Sequence, residues 1–167
     1  MSSIEYINSV VLTASATSVE FTSIPQQYND IFINTGILPV DSLWPAVLMQ
    51  VGNNTYDTST NYSVTVLAGN GTSAVSNRLS SQNQLNFSRE NGIGTSTTER
   101  HLGEYHFLSY SNTNIFKTIL ESSGNSTKGV CSEVGLWRST DSINRIKMYV
   151  TGGGFNTGST FTLWGVK

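Results

Sequence analysis

The chain closes on the stretch TGGGFNTGSTFTLWGVK, residues 151–167, and this stretch decides the fold. Three glycines near its start can adopt the positive φ angles of a tight turn, and a Gly-Ser turn follows. Apolar and polar residues then alternate. Because successive side chains of a strand point to opposite faces, we expect Phe161 and Leu163 to face a core and Trp164 to face the other way. The alternation predicts that the chain ends on a strand paired inside a sheet.

The same two-residue period dominates the rest of the sequence and predicts an all-β fold. About ten candidate strands are separated by Gly, Asn and Ser clusters, at the spacing typical of β-sandwiches and barrels. They are SVEFTSI (18–24), DIFINTGIL (30–38), AVLMQV (46–51), YSVTVLAG (62–69), EYHFLSY (104–110), IFKTILES (115–122), GVCSEVGLW (129–137), INRIKMYVT (143–151) and STFTLWGV (159–166), with a further strand at Ile4–Leu12 to hold the N-terminus.

No segment holds a helical pattern longer than two turns, and one segment comes closest to it. SNRLSSQNQLNF (76–87) holds Leu79 and Leu85 in an otherwise polar run, and we allow it one short helix at most. It belongs to a polar stretch, residues 70–98, that follows no recognisable pattern. No linker composition divides the chain, so residues 1–167 are predicted to form a single domain.

Composition limits the classes of partner. Charged residues make up 12% of the chain and the net charge is -2, while 24 Ser, 20 Thr and 16 Asn supply its polarity. No basic face is available to attract nucleic acid or an anionic membrane. The N-terminal MSSIEYINSVVL lacks the features of a signal peptide, and no apolar run is long enough to span a membrane.

Residues suited to catalysis or metal binding are few. His101 and His106 are the two histidines and should lie on opposite faces of one strand, as solvated residues. Glu104 and His106 share a face and could hold a metal as a pair, but two ligands are too few for a specific site. We expect no metal and no cofactor.

Hydrolytic chemistry finds little support either. No G-x-S-x-G elbow is present, so a serine hydrolase is not indicated. A glycosidase needs two carboxylates across a sugar, and nothing in the sequence pairs the acidic candidates. These candidates are Glu99, Glu104, Glu121, Glu133 and Asp141. We expect the protein not to be an enzyme.

The large aromatic residues and the single cysteine are expected to be structural. Cys131 has no partner for a disulfide and should be a small buried residue. Aromatic side chains of a sandwich fill the core or an interface more often than they bind sugars. The aromatics considered are Trp44, Tyr56, Tyr62, Trp137 and Trp164. Trp137 and Trp164, where they lie outside the core, are the candidate interface or glycan-facing residues.

Three segments resemble small phage virion proteins. TSVEFTSIPQQYNDIFIN (17–34) is similar to a strand in these proteins that leads through Ile-Pro into a second strand. YDTSTNYSVTVLAGNGTS (56–73) looks like their Asn-Tyr-Ser strand with a Gly-Asn-Gly turn. GGGFNTGSTFTLWGVK (152–167) resembles their closing segment, although Trp164 stands where many of them have Tyr. The resemblance implies a compact β-sandwich of jelly-roll type, assembled as a trimer, and carries over no catalytic residue.

Two functions are compatible with such a protein. The first is a capsid decoration (cement) protein, made in the host cytoplasm, that binds the major capsid protein on the outside of a phage head as a homotrimer. The second is a tail-fibre or receptor-binding head that recognises host surface polysaccharide. The sequence contains no fibre repeats, which favours the first function.

Overall fold

The structure, a computed structural model, describes residues 3–40, 45–90 and 98–167. Within these ranges the chain forms thirteen strands and no helix. They are β1 (Ile4–Val11), β2 (Ser18–Phe21), β3 (Asp30–Ile37), β4 (Val47–Asn53), β5 (Thr55–Tyr56), β6 (Tyr62–Gly69), β7 (Ala74–Gln82), β8 (Leu85–Phe87), β9 (His101–Leu108), β10 (Lys117–Asn125), β11 (Gly129–Trp137), β12 (Arg145–Val150) and β13 (Thr160–Val166).

The strands form two antiparallel sheets that pack face to face. The large sheet has eight strands in the order β1-β13-β3-β9-β10-β11-β6-β7. The small sheet has the order β2-β12-β4-β5, with β8 also paired to β4. Each sheet has one face turned inward, which accounts for the alternation of apolar and polar residues in the sequence.

The path of the chain is that of a jelly roll. The first four strands alternate between the sheets, with β1 and β3 in the large sheet and β2 and β4 in the small one. On the return, β12 inserts between β2 and β4, and β13 inserts between β1 and β3. The predicted antiparallel β-sandwich is therefore confirmed. Strands β10, β11, β6 and β7 extend the large sheet beyond this jelly roll.

The core lies between the two sheets and consists mainly of aliphatic and aromatic side chains. The small sheet contributes Phe21 and Met148, and the large sheet contributes Ile33, Phe107 and Phe161, all at most 1% exposed. Full burial of one such side chain stabilises the fold by about 1.5–3 kcal/mol.

The closing stretch is anchored as the sequence predicts. Strand β13 pairs with β1 on one side and β3 on the other, so both of its edges are hydrogen-bonded. Phe161 and Leu163 are buried, whereas Trp164 points to the opposite face. The preceding turn needs glycine, because Gly154 has a φ of 115° and a Cβ there would lie 2.4 Å from the Ala16 carbonyl oxygen.

The one short helix that the sequence allows within residues 76–87 does not form. This segment forms β7 and β8, and Leu79 and Leu85 belong to different strands. Leu79 pairs opposite Val64 on the large sheet, whereas Leu85 pairs opposite Met49 on the small sheet. Residues 91–97 of the polar stretch lie outside the described residues. Nothing in the described ranges is a helix long and apolar enough to cross a membrane.

Candidate interaction surface

The outer face of the large sheet, which points away from the small sheet, carries a row of aromatic and aliphatic side chains. Strand register aligns this row across β1, β13, β3, β9, β10 and β11. Its members, here named the apolar row, are Tyr6, Trp164, Phe32, His106, Leu120 and Val134. Tyr6, Leu120 and Val134 are 58%, 41% and 48% exposed, so the described part of the chain leaves them uncovered.

Four of these residues form a continuous aromatic ladder. The rings of Tyr6 and Trp164 meet edge to face with centroids 5.9 Å apart. Trp164 and Phe32 stack at 6.2 Å with an angle of 16° between their planes, and Phe32 meets His106 edge to face at 6.3 Å. These separations lie in the range at which aromatic pairs attract. The rings support one another, and the ladder is therefore an ordered surface.

His106 ends the ladder beside a carboxylate. Its Nε2 lies 3.3 Å from Asp30 Oδ2, and both side chains are partly exposed. The Asp30 carboxylate also accepts a hydrogen bond from the Ser109 backbone N–H. The imidazole thus lies between the aromatic part of the row and its aliphatic part.

A polar row runs parallel to the apolar row on the same face. It contains Thr162, Asn34, Glu104, Ser122 and Ser132, which stand opposite one another on β13, β3, β9, β10 and β11. Asn34 Nδ2 donates to Glu104 Oε2 at 3.0 Å. A depression of about 570 Å³ opens beside this pair. The face thus offers both apolar contact and hydrogen-bonding groups, with little charge to desolvate.

The two candidate tryptophans lie in different places. Trp164 is in the apolar row, on the face predicted for it. Trp137 does not reach the surface: it is 2% exposed, and its Nε1 donates to Asp57 Oδ2 at 2.7 Å. Tyr62 is also buried and Tyr56 is half-buried at the edge of the small sheet. Trp44 lies outside the described residues.

The histidines lie on opposite faces of β9, as predicted, but His101 is not solvated. It is 1% exposed and faces the core, and burial lowers the pKa of its imidazole to about 4. Glu104 and His106 share the outer face, as predicted. Among the described residues no group of three or more His, Cys, Asp or Glu side chains is placed to hold a metal. Cys131 is buried, as the sequence predicts.

Two of the acidic candidates, Glu121 and Glu133, lie side by side in the interior. They occupy directly opposite positions on β10 and β11 and are 3% and 1% exposed. Ser88 joins them to His101, because its Oγ is 3.3 Å from Glu121 Oε1 and 3.4 Å from His101 Nε2. This is not a triad arrangement, in which the carboxylate accepts a hydrogen bond from the other imidazole nitrogen.

Sequence reasoning missed four residues of the apolar row, namely Tyr6, Phe32, Leu120 and Val134. Each occupies the outward phase of its strand, so alternation alone gives the signal that these side chains point away from the core. Only the pairing of distant strands, with β1 next to β13 and β3 next to β9, reveals that they form one surface. No model of a known protein family matches the chain, and no curated protein matches its sequence.

Proposed function

We propose that this protein is a phage virion structural protein, a capsid decoration protein that stabilises the outer surface of the head as a homotrimer. Copies of the chain meet through the outer face, and the trimer binds the major capsid protein. The observation that carries the proposal is the apolar row, a surface of aromatic and aliphatic side chains that the described chain does not cover.

The make-up of the outer face favours contact with protein. Contiguous apolar patches on soluble proteins mark interaction sites, and interface cores are enriched in Trp, Tyr and Phe and poor in charge. The apolar row has Tyr6, Trp164 and Phe32 at one end, and the polar row beside it can hydrogen-bond across a seam. Trp164 is the expected anchor of the contact, because Trp and Tyr dominate binding energy at interfaces.

The arrangement of the rings argues against a platform for sugars. Trp164 and Phe32 stack on each other, and Tyr6 and His106 close the two ends of this pair. A sugar stacks on a free ring face, and much of that area is occupied within the ladder. The ladder is better suited to packing against protein side chains.

A receptor-binding head for host surface polysaccharide is the second candidate. The depression beside Asn34 and Glu104 favours it, because amide and carboxylate groups there can hydrogen-bond to hydroxyl groups. Ser122 and Asn125 add further polar groups to the lining. In this function the protein would occur in a few to tens of copies per particle rather than in hundreds.

Binding to phage heads that lack the protein tests the proposal. The purified protein should sediment with such heads, saturate at hundreds of copies by quantitative gel staining, and raise their resistance to heat. A ligand that binds only the assembled shell stabilises it by mass action. If the protein does not bind these heads but binds host polysaccharide, the decoration function is overturned and the second candidate is supported.

A matched pair of variants separates the outer face from general surface effects. Leu120→Asp adds a charge to the apolar row and should abolish trimer formation and head binding. Phe116→Asp adds the same charge at a residue that is 50% exposed and precedes β10 in a loop. The second variant should bind heads as the wild type does. Equal trimer formation and equal head binding by the two variants would show that the apolar row is not the contact surface.

A further inference from the structure

The buried carboxyl pair, Glu121 and Glu133, has no role in the proposed function, yet two acidic groups lie side by side in the interior of the protein. The two side chains face the interior from directly opposite positions on β10 and β11. At such positions the Cβ atoms of an antiparallel pair are about 4.5–5.5 Å apart. Two carboxylates held this close in the interior repel each other, and each loses its hydration.

The groups that contact the pair are neutral. The Ser88 N–H donates to Glu133 Oε1 at 2.8 Å, and the Ser88 hydroxyl contacts Glu121 Oε1 at 3.3 Å. Ser123 Oγ lies 2.9 Å from Ser88 Oγ. His101, on the other side of Ser88, carries no charge at neutral pH because burial lowers its pKa to about 4. The hydrogen bonds from Ser88 and Ser123 favour the charged carboxylates, but burial outweighs them, and none of these groups carries a positive charge.

The remaining titratable neighbours do not supply a positive charge either. Tyr105 faces the pair from β9, opposite Glu121, and the Cys131 thiol hydrogen-bonds to Glu133 from β11 itself. Strand β6 places Val66 opposite Glu133. Glu90, which follows β8, adds a negative charge near Glu133. In the described ranges no lysine or arginine forms an ion pair with either carboxyl.

Each carboxyl also keeps one oxygen free of hydrogen bonds. Glu121 Oε2 and Glu133 Oε2 are buried and have no partner among the described residues. A buried carboxylate oxygen without a donor is costly, whereas a protonated oxygen carries no charge. Protonation is therefore the way in which this pair can remain in the interior.

We propose that Glu121 and Glu133 form a proton-binding site between the sheets, occupied in the folded protein at neutral pH, whose emptying under mildly alkaline conditions loosens the sandwich. Loss of the protons leaves two facing carboxylates under Ser88, where the end of β8 closes over β10 and β11. The device makes the stability of the fold depend on pH. It is independent of the proposed virion function.

The pH range follows from the titration of the pair. Burial raises the pKa of Glu121 to about 7, and burial together with the charge of Glu121 raises the pKa of Glu133 to about 8, from 4.5 for both. The folded state then holds protons that the unfolded chain releases, so stability falls as pH rises from 4.5 through about 8. His101 acts in the opposite sense, because burial lowers its pKa. Its contribution to the stability of the fold is lost as pH falls below 6.5 towards about 4.

Thermal melting of glutamine variants tests the site. Glutamine has the shape of glutamic acid and cannot ionise. Glu121→Gln and Glu133→Gln should therefore each raise the melting temperature at about pH 9 by at least about 4 °C, and in the double variant the melting temperature should fall less as the pH rises to 9. Glu20→Gln is the matched control, since Glu20 is exposed on β2 of the small sheet, away from both the pair and the outer face. This control should melt with the pH dependence of the wild type.

Infrared spectroscopy of the wild-type protein gives a second readout that needs no variant to fold. The carbonyl stretching band of a protonated carboxylic acid should be present at neutral pH and disappear as pH rises to about 9. A neutral-pH spectrum without that band would overturn the proposal. The proposal would be overturned equally by a double variant that folds and whose melting temperature still falls with rising pH as that of the wild type does.

Discussion

Gly165 shows how a single residue can set the packing between β13 and a loop. The ring of Tyr28 lies directly over this glycine, and a Cβ there would come within 2.5 Å of ring atoms Cγ and Cδ1. Tyr28 cannot give way freely, because it is 7% exposed and part of the core cluster. The strand pattern places residue 165 on the inner face, but the ring above it belongs to a distant segment that no local pattern identifies.

Gly165→Ala should therefore destabilise the fold. Forcing one methyl group into a packed core costs about 1–3 kcal/mol, which corresponds to a fall in melting temperature of about 2–4 °C per kcal/mol. Gly69→Ala is the control, since a Cβ there meets its nearest atom at an ordinary 3.7 Å. Calorimetry of the two variants checks the expectation, and equal melting temperatures would contradict it.

Asp57 holds the buried Trp137 in place. Its carboxylate accepts hydrogen bonds from Trp137 Nε1 at 2.7 Å and from Asn61 Nδ2 at 2.9 Å, and Ser59 contributes two more. Burial favours the neutral acid, but the hydrogen bonds from Ser59, Trp137 and Asn61 outweigh burial and lower the pKa of Asp57. Its stabilising contribution is present above its ordinary pKa of 3.8 and is lost as the pH falls.

Asp57→Ala should leave the indole N–H of Trp137 buried without an acceptor, at a cost of about 1–3 kcal/mol. Denaturant unfolding at neutral pH measures the loss, and at acid pH the gap between variant and wild type should narrow. Asp141→Ala, at an exposed aspartate, serves as the control and should change little. If Asp141→Ala lost as much unfolding free energy as expected for Asp57→Ala, or if Asp57→Ala lost none, Asp57 would not be what holds Trp137 in place.

At the scale of elements, the sequence predicts strands well where one side chain in two enters the core. Strand β13 is such a case: the predicted strand is residues 159–166, the observed one is Thr160–Val166, and both of its faces follow from alternation. Strand β7 is the opposite case: it lies at the edge of the large sheet and is exposed along most of its length. Without a buried face it shows no apolar period, which is why the pattern of residues 76–87 does not identify a strand.

Deletion of FTLWGVK, residues 161–167, should leave the protein unfolded or insoluble. The deletion removes Phe161 and Leu163 from the core, at about 2–5 kcal/mol for each truncated side chain, against a total stability of about 5–15 kcal/mol. It also separates β1 from β3. The full-length variant Thr162→Ala changes only an outward side chain and should stay folded. Circular dichroism and solubility check both proteins, and a soluble truncation with cooperative melting would contradict the prediction.

At the scale of the whole molecule, the sequence pattern predicts the fold class, whereas the topology determines which residues form a common surface or site. The all-β class follows from the two-residue period, but the apolar row depends on which distant strands are neighbours. Trp164, for example, meets Phe32 across 132 positions of sequence through the pairing of β13 with β3. The pair formed by Glu121 and Glu133 depends instead on the register of the β10–β11 hairpin. Local periodicity carries no information on such pairings, so these surfaces emerge only in the folded chain.

Light scattering on the purified protein tests assembly through the outer face most directly. The wild type should have three times the monomer mass of 18.1 kDa. The double variant Leu120→Asp/Val134→Asp should have the monomer mass while keeping the wild-type circular dichroism spectrum, because both side chains are exposed in the single chain. A wild-type protein that is monomeric, or a double variant that remains trimeric, would contradict the proposed assembly.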